Sequence, residues 1–235
     1  MLNNWMDSEA GRNLLKIESE KLQSCLPSLL GHYLLQYSAW NKKVVGETSL
    51  RHNFFISDNS SGMAQVDFLQ LPFRENSIDC VVMHHILEHS ENPHQSLREA
   101  ARVVVPNGYI VIVGFNPWSL WGVSRYIPKS KGPRSGSYLS QGRVIDWLNL
   151  LGFRVEQLEK VQFLPPVASL YSPQTSKKID TFFNWCGLPG SGVYMLVARK
   201  LVAGRTPIRP QWRALTGRRI HVATPTTRGM RVSNR

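Results

Sequence analysis

The sequence predicts an α/β fold, with a mostly parallel central sheet, helices on both of its faces and an N-terminal cap helix. Short apolar runs of strand length alternate with amphipathic segments in the second half of the chain, which favours right-handed crossovers between parallel strands. Several of these runs are continuously apolar, as is typical of strands buried on both faces. Gly, Pro and Asn residues mark the boundaries between segments.

Three segments have helical patterns. Residues 8–30 place leucines among charged residues, which predicts an amphipathic helix against the sheet. Asn92 is a good N-cap and Pro93 suits the first helical position, so a second helix begins there. We expect it to stop at residues 106–108, the tripeptide Pro-Asn-Gly.

A third helix is predicted to begin after Ser137 or Ser140 and to end at Gly152. Apolar runs bounded by turn residues predict the strands. In chain order they are HYLLQYSAW (32–40), HNFFIS (52–57), MAQVDFL (63–69), SIDCVVM (77–83), YIVIVGF (109–115), FRVEQLEKVQF (153–163) and GVYMLVARK (192–200).

Length and composition favour one soluble domain with an extension. The chain has 235 residues and no run that approaches the roughly 20 apolar residues of a membrane span, nor an N-terminal segment of secretory type. Its three cysteines are far apart and form no C-x-x-C pair. We therefore expect a cytoplasmic protein without a disulfide framework, with a domain at residues 1–200 and a tail at residues 201–235.

The tail carries most of the basic charge. Eight of the twelve net positive charges belong to arginines of residues 201–235, where no acidic residue occurs. The tail is rich in Pro, Thr, Gly and Arg and lacks periodicity, so we predict that it is mostly disordered. Such a tail either binds RNA or another polyanion weakly through phosphate contacts or is a solvated extension.

Residues 80–94, CVVMHHILEHSENPH, hold four histidines and two glutamates. Three of them, His85, Glu88 and His89, match the H-x-x-E-H order of a family of zinc peptidases. That site needs a helix and a third protein ligand downstream, whereas Asn92 begins a separate helix only three residues after His89. We therefore predict no metal, and we expect hydrogen bonds of His85 and His89 to hold this turn.

The arrangement of the predicted sheet also indicates where a ligand binds. In open parallel sheets, ligands lie beyond the carboxyl ends of the strands, near the point where the strand order reverses. Those ends carry Asp67, residues 83–89 and residues 115–121. The long connection at residues 116–136 is also typical of functional loops.

One continuous stretch, residues 66–114, carries a family pattern. Its pieces are Asp67 followed by Leu71-Pro72-Phe73, Ser77 with Asp79, the HILEH run at 85–89, and Arg102 to Val105 with Pro106 and Gly108. The stretch closely resembles the type-11 branch of class I S-adenosylmethionine-dependent methyltransferases. With GFNPWSLWG (114–122) and DWLNLLGF (146–153), which resemble a sub-branch of largely uncharacterised bacterial members, the resemblance extends from about residue 8 to residue 212. It implies a Rossmann-like fold and S-adenosylmethionine as the cofactor.

The resemblance implies roles for individual residues. Asp67 would accept a hydrogen bond from the adenine amino group and Phe68 would pack beside the ring, since a carboxylate suits an exocyclic donor and an aromatic ring offers a stacking face. Asp58 stands where an acid would hold the ribose hydroxyls, and Met83 and His84 lie at the methionine portion. The implied cofactor contacts are Gln36, Ser38, Asp58, Asp67, Phe68, Met83 and His84.

The first loop departs from the family. Members normally end the first strand with an acidic residue and a G-x-G-x-G loop, because glycine lets the backbone approach the cofactor's amino-acid portion. Residues 36–42, QYSAWNK, contain no glycine, and Trp40 puts a large ring where the cofactor is expected. The short turn DNSSG at 58–62 also favours a hairpin between the second and third strands.

Two functional classes follow. The first is a methyltransferase that acts on a small-molecule acceptor mainly by orienting it, with His84 or His85 as the base that removes a substrate proton. The second is a methyltransferase-like binding protein without catalysis, whose tail contacts RNA or an acidic partner. The predicted acceptor contacts, which could instead be lid or core packing, are Phe115, Asn116, Trp118, Trp121 and Tyr138.

Overall fold

A computed structural model of the chain describes residues 7–26, 31–40, 43–46, 52–57, 69–119, 122, 136–161 and 191–202. The helices are α1 (Glu9–Cys25), α2 (Pro93–Val103) and α3 (Gln141–Leu150). The strands are β1 (Tyr33–Ser38), β2 (His52–Ser57), β3 (Ile78–His84), β4 (Val104–Phe115), β5 (Phe153–Val161) and β6 (Val193–Lys200).

The strands form one sheet in the order β2-β1-β3-β4-β6-β5. β1 pairs in parallel with β2 and β3, and β3 pairs in parallel with β4. β6 lies antiparallel between β4 and β5, so a mostly parallel sheet is confirmed and one reversed strand is added to it. The strand order reverses between β1 and β3, and the crevice expected to bind a ligand therefore lies beyond the carboxyl ends of these two strands.

Helices cover both faces of the sheet, as predicted. Successive side chains of a strand point to opposite faces. Val81 of β3 therefore packs in a core with Leu97 of α2 and Leu148 of α3, whereas the next residue, Val82, packs in a second core with Leu14 of α1. The candidate site lies on the face that α1 covers.

Two helix starts follow the capping patterns of the sequence. The Ser8 hydroxyl accepts a hydrogen bond from the Gly11 N–H at 3.2 Å, and α1 begins at the next residue. The Asn92 side chain accepts one from the Gln95 N–H at 3.2 Å, which confirms the predicted cap of α2. The predicted continuation of α1 to residue 30 is not borne out, because the helix ends at Cys25.

The predicted end of α2 is wrong by a few residues. The helix ends at Val103 and β4 begins at once, so residues 106–108 lie inside the strand. The pairing register between β3 and β4 shifts here, which identifies an irregularity of the β-bulge type. Gly108 is required at this point, since a Cβ on it would lie 2.7 Å from the backbone oxygen of Asp79.

The cap of α3 is Ser140 rather than Ser137, with its hydroxyl 3.4 Å from the Arg143 N–H. Gly152 has a φ of 81° just after the helix, as its predicted role as a stop signal requires. The predicted third strand and the turn before it fall mainly on residues 58–68, outside the described residues. The hairpin therefore stays a prediction.

Contacts divide the chain into two units, residues 1–203 and residues 204–235. The first unit continues past residue 200, because the Leu201 N–H donates to the Gly152 oxygen at 2.8 Å. Within the part of the chain that the structure describes, no helix has the length and apolar character needed to cross a membrane.

Cutting the chain after Val202 removes the second unit, so we expect the melting temperature to stay within about 2 °C of that of the full chain. The cut leaves intact the anchor at the end of β6, where the Lys200 ammonium donates to the backbone oxygens of Ala101 (2.8 Å) and Val104 (2.7 Å). Binding to heparin should weaken and lose much of its salt dependence. Thermal unfolding and salt-dependent heparin binding measure both, and an unfolded truncated chain would contradict the assignment of the tail.

Candidate functional site

The candidate site begins where β1 and β3 end side by side, with Ser38 paired to His84. Both residues are fully buried. The Ser38 hydroxyl lies 3.1 Å from Nδ1 of His84, and the Ala39 N–H donates to the His84 backbone oxygen at 3.2 Å. These contacts close the crevice between the two strand ends.

A buried acid from α1 joins this edge. Oε2 of Glu18 lies 3.0 Å from Nε2 of His84, and Oε1 lies 3.0 Å from Nε2 of His85. Glu18 was missed by sequence reasoning, although a signal was present. It stands four residues after Leu14 and four before Leu22, in the middle of the buried apolar stripe of the helix.

The backbone at His85 brings the two histidines together. In an extended strand the side chains of His84 and His85 would point to opposite faces. His85 instead has a φ of 53°, a left-handed conformation that non-glycine residues rarely adopt, and the two ring centroids are 4.7 Å apart. This conformation costs on the order of 1 to 3 kcal/mol and is typical of functional sites.

A second acid binds the other side of His85. Oε1 of Glu88 lies 3.1 Å from Nδ1 of His85 and accepts the Phe115 N–H as well. Oε2 of Glu88 is buried and has no hydrogen-bond partner among the described residues. Glu18, His84, His85 and Glu88, all buried, are called the Glu–His cluster below.

The charges of the Glu–His cluster depend on one another. Burial alone would raise the pKa of Glu18, but the attraction of His85 and hydrogen bonds from both histidines lower it to about 2. Burial would lower the pKa of His85, but Glu88 and Glu18 outweigh it and raise the value to about 9. For His84, burial dominates and lowers the pKa. Without any bound cation, the cluster therefore holds two carboxylates and one imidazolium at neutral pH.

Trp40 covers the cluster. Its side chain is 1% exposed, and its ring centroid lies 5.1 Å from that of His84 and 4.5 Å from that of His85. Its Nε1 is buried without a hydrogen-bond partner among the described residues. The indole and α1 together separate the Glu–His cluster from solvent.

The structure brings together only part of the predicted cofactor set. Ser38 and His84 meet, but Met83 packs on the opposite face, in the core beneath α2 and α3. Oε1 of Gln36 accepts the N–H groups of Val44 (3.2 Å) and Val45 (2.9 Å), which holds the segment after β1. The other predicted cofactor contacts, Asp58, Asp67 and Phe68, lie outside the described residues.

The predicted acceptor residues have different environments. Phe115 is 1% exposed, with its ring centroid 4.2 Å from that of His85 and 5.0 Å from that of the half-buried Tyr138, which stacks on it. Asn116 is buried, and its Oδ1 accepts the Trp118 N–H at 3.1 Å. The Trp118 side chain is 79% exposed. Trp121 lies outside the described residues.

The H-x-x-E-H pattern does not form its zinc-binding helix. The segment after His85 is a turn, in which the His89 N–H donates to the Ile86 oxygen at 3.0 Å. The expected hydrogen bond of His85 is present, to Glu88. Nε2 of His89 is buried without a partner among the described residues, so the expectation is not met at that atom.

The sheet and its switch point agree with the family comparison. A family model described as a methyltransferase domain matches residues 40–112. The chain belongs to the class I S-adenosylmethionine-dependent methyltransferases. It is similar to the uncharacterized protein YafS of Escherichia coli K12, with 31% identity over 167 residues, which are 68% of this chain and 69% of YafS. Uncharacterized protein MJ1123 of Methanocaldococcus jannaschii is 34% identical over 86 residues, covering 36% of this chain and 42% of MJ1123.

Solved structures share the fold at low sequence identity. A Thermotoga maritima protein described as a SAM-dependent methyltransferase, possible histamine N-methyltransferase, has a TM-score of 0.60 at 15% identity, covering 84% of this chain and 93% of its own. The [4+2]-cyclase SpnF has a TM-score of 0.54 at 16% identity, covering 78% and 81%. At such identities the likeness shows the fold alone.

The family implies S-adenosylmethionine, and the described residues test part of its site. The methionine portion does not fit in the arrangement seen here, since Ser38 bonds to His84 across the crevice and the Trp40 ring fills the space beside it. The match of the family model begins at residue 40, after β1. Residues 36–39 therefore lie outside the family match, and they contain no glycine.

Proposed function

We propose that the protein binds S-adenosylmethionine over the carboxyl ends of β1, β2 and β3 and catalyses transfer of its methyl group to a small-molecule acceptor. The observation that carries this proposal is the set of polar side chains buried at these three ends, Ser38, Ser57 and His84. In sheets of this type the edge at the switch point is the ligand site. Membership of the family supports the same assignment.

Within this proposal, Asp58, Asp67 and Phe68 hold the adenosine portion of the cofactor. The methionine portion lies near Ser38 and His84, and Trp40 has to leave its place to admit it. When bound, the cofactor supplies the activated methyl group. The chain contributes mainly orientation of the acceptor.

Proton removal by His84 or His85 carries an additional requirement. Both ring nitrogens of each histidine have partners: His84 contacts Ser38 and Glu18, and His85 contacts Glu18 and Glu88. Among the described residues, Trp40 lies against both rings, so a substrate that approaches from this side has to displace it. A role as catalytic base therefore depends on the same movement as cofactor binding.

The acceptor is proposed to approach over the aromatic residues beyond β4. Trp118 offers an exposed indole, and Tyr138 is half-buried on top of Phe115. Aromatic faces of this kind suit a flat or apolar acceptor, and the polar side chains of Asn116 and Tyr138 supply hydrogen-bonding groups. Trp121 completes the proposed set.

Calorimetry of the purified chain with S-adenosylmethionine and S-adenosylhomocysteine tests the cofactor directly. The proposal expects saturable binding of both ligands at one site. The decisive contrary result is an absence of binding at millimolar ligand in the wild-type chain that the substitution Trp40→Gly does not restore.

A second function, a methyltransferase-like binding protein without catalysis, is favoured by one observation. Trp40 is fully packed against the Glu–His cluster, so the space for the methionine portion is filled in the arrangement seen here. The fold also carries other activities, since SpnF is a cyclase. The contrary calorimetric result would assign the protein to this class, with the basic tail as the expected contact for RNA or an acidic partner.

Asp67→Ala is expected to weaken S-adenosylhomocysteine binding by about 1.5 to 3 kcal/mol, roughly 10-fold or more, because one charge-assisted hydrogen bond to adenine is lost. Asp146→Ala is the matched control, since Asp146 is an exposed acid on α3. Calorimetry on both variants measures the difference. Equal affinities in the two variants would remove Asp67 from the adenine site.

A further inference from the structure

The Glu–His cluster contains a set of metal ligands that its hydrogen bonds do not fully explain. Glu18, His84 and His85 are fully buried and present ligand atoms that lie within 4.8 Å of one another. Two imidazoles and a carboxylate form a common set for zinc and related divalent ions. Bonds of about 2.0 to 2.2 Å to one zinc ion would place neighbouring ligand atoms roughly 3 Å apart. Oε2 of Glu18 is 3.0 Å from Nε2 of His84, and Oε1 of Glu18 is 3.0 Å from Nε2 of His85.

The outer contact of His85 matches that of a metal ligand, and His84 has a hydroxyl in the corresponding place. A histidine that binds a metal through one nitrogen normally engages a carboxylate, carbonyl or water with the other, which fixes the ring. Nδ1 of His85 contacts Glu88 at 3.1 Å, and Nδ1 of His84 contacts the Ser38 hydroxyl at 3.1 Å. Both Nε2 atoms therefore face Glu18, and both rings are held in that direction.

The charge of the cluster also calls for a cation. Glu18 and Glu88 bring two carboxylates into a buried place, and no lysine or arginine among the described residues pairs with either of them. A divalent ion held by Glu18 and the two histidines would lie beside Glu88 and offset both carboxylates. Oε2 of Glu88, which has no hydrogen-bond partner among the described residues, is a further sign that the cluster lacks positive charge.

We propose that Glu18, His84 and His85 bind one divalent transition-metal ion, best matched by zinc, which fastens α1 to the end of β3. Both carboxylate oxygens and the two imidazoles supply four donor atoms, and Trp40 covers them, so the site is structural and closed. Glu88 and Ser38 are positioning residues that orient the two rings. The proposal goes beyond methyl transfer and does not depend on it. With both Nε2 atoms on the ion and both Nδ1 atoms engaged, neither histidine would act as the base.

This site replaces the sequence-based expectation of no metal, and it differs from the H-x-x-E-H pattern. That pattern uses His89 and a ligand downstream, whereas the third ligand here lies 66 residues before His84. His89 does not belong to the converging group. Substitution of His89 therefore distinguishes the two sites.

The test measures metal in the full chain produced without a histidine tag. Because the site is closed, the protein is first unfolded in the presence of a chelator and then refolded with excess zinc or cobalt. Unbound ion is removed, and the bound metal is measured by elemental analysis. We expect one equivalent of zinc, and a visible absorption band for the cobalt form. Clearly substoichiometric metal in the wild-type chain after refolding would overturn the proposal. The cluster would then be held together by its hydrogen bonds alone.

Variants check which residues bind. Glu18→Gln should lower zinc affinity at least 10-fold, and Glu88→Gln by about 10- to 100-fold as an outer contact. Glu20→Gln, an exposed acid on the same helix, and His89→Ala should retain one equivalent. Loss of zinc from His89→Ala, or full retention in Glu18→Gln, would each contradict the assignment. The wild-type measurement remains decisive if Glu18→Gln fails to fold.

Discussion

Glu18→Ala is expected to lower the free energy of unfolding by about 3 to 5 kcal/mol, the usual cost of removing one partner from a buried ion pair. The carboxylate contacts both His84 and His85 at 3.0 Å in a site with no access to solvent. Without it, the Nε2 atoms of both rings face a cavity, and any bound cation loses its only carboxylate ligand. For a chain of this size, the melting temperature should fall by roughly 6 to 20 °C.

Urea unfolding of Glu18→Ala beside Glu20→Ala measures this effect. Glu20 lies on the same helix and is exposed, so its removal should change stability by no more than about 0.5 kcal/mol. Both substitutions remove one negative charge and replace glutamate by a better helix former, which leaves burial as the main difference between them. Similar midpoints for the two variants would mean that the Glu–His cluster contributes little to stability.

Trp40→Gly is expected to have opposite effects on stability and on ligand affinity. Removing an indole that is 1% exposed should cost about 3 to 5 kcal/mol, as for other large-to-small changes in a core. Affinity for S-adenosylhomocysteine should stay the same or rise, because the ring occupies the place where the methionine portion is proposed to bind. The Glu–His cluster also becomes open to a substrate once the ring is gone.

Chemical unfolding and calorimetry on the same preparation separate the two effects. Trp118→Gly is the matched control, since that indole is 79% exposed and its loss should cost less than about 1 kcal/mol. A tenfold loss of affinity in Trp40→Gly would show that the ring is part of the cofactor pocket rather than an obstacle in it. Measurements at low temperature keep the variant folded during the titration.

The proposals about the cofactor and the metal can fail separately. If the protein binds the cofactor but no metal, the methyltransferase proposal stands. The Glu–His cluster then connects α1 to β3 through hydrogen bonds alone. If the protein binds metal but not the cofactor, its fold is closed and stabilised by the ion. Trp40 and Glu18 then occupy the place where the methionine portion of the cofactor would bind. Calorimetry and elemental analysis report these outcomes independently.

Much of the fold follows from local patterns in the sequence. The caps at Asn92 and Gly152 depend on residues within one helical turn and were predicted correctly. Continuous apolar runs predicted the buried strands β3 and β4, although the Pro-Asn-Gly sequence at 106–108 suggested a break where the strand has a bulge. That error arose because the same residues suit a helix stop and an irregular strand start, and only pairing with β3 decides between them.

The site was predictable only in part. The sequence by itself determined that histidines and an acid stand at the end of β3, and that residues 36–42 contain Trp40 and no glycine. The tertiary structure alone decided that Glu18, 66 residues before His84, reaches both imidazoles. It also decided that Met83 faces the opposite core, because side chains alternate across a strand and only the packing of α1 shows which face carries the site. Capping and periodicity depend on near neighbours, whereas the contact between α1 and β3 depends on how the whole sheet is covered, which no short pattern records.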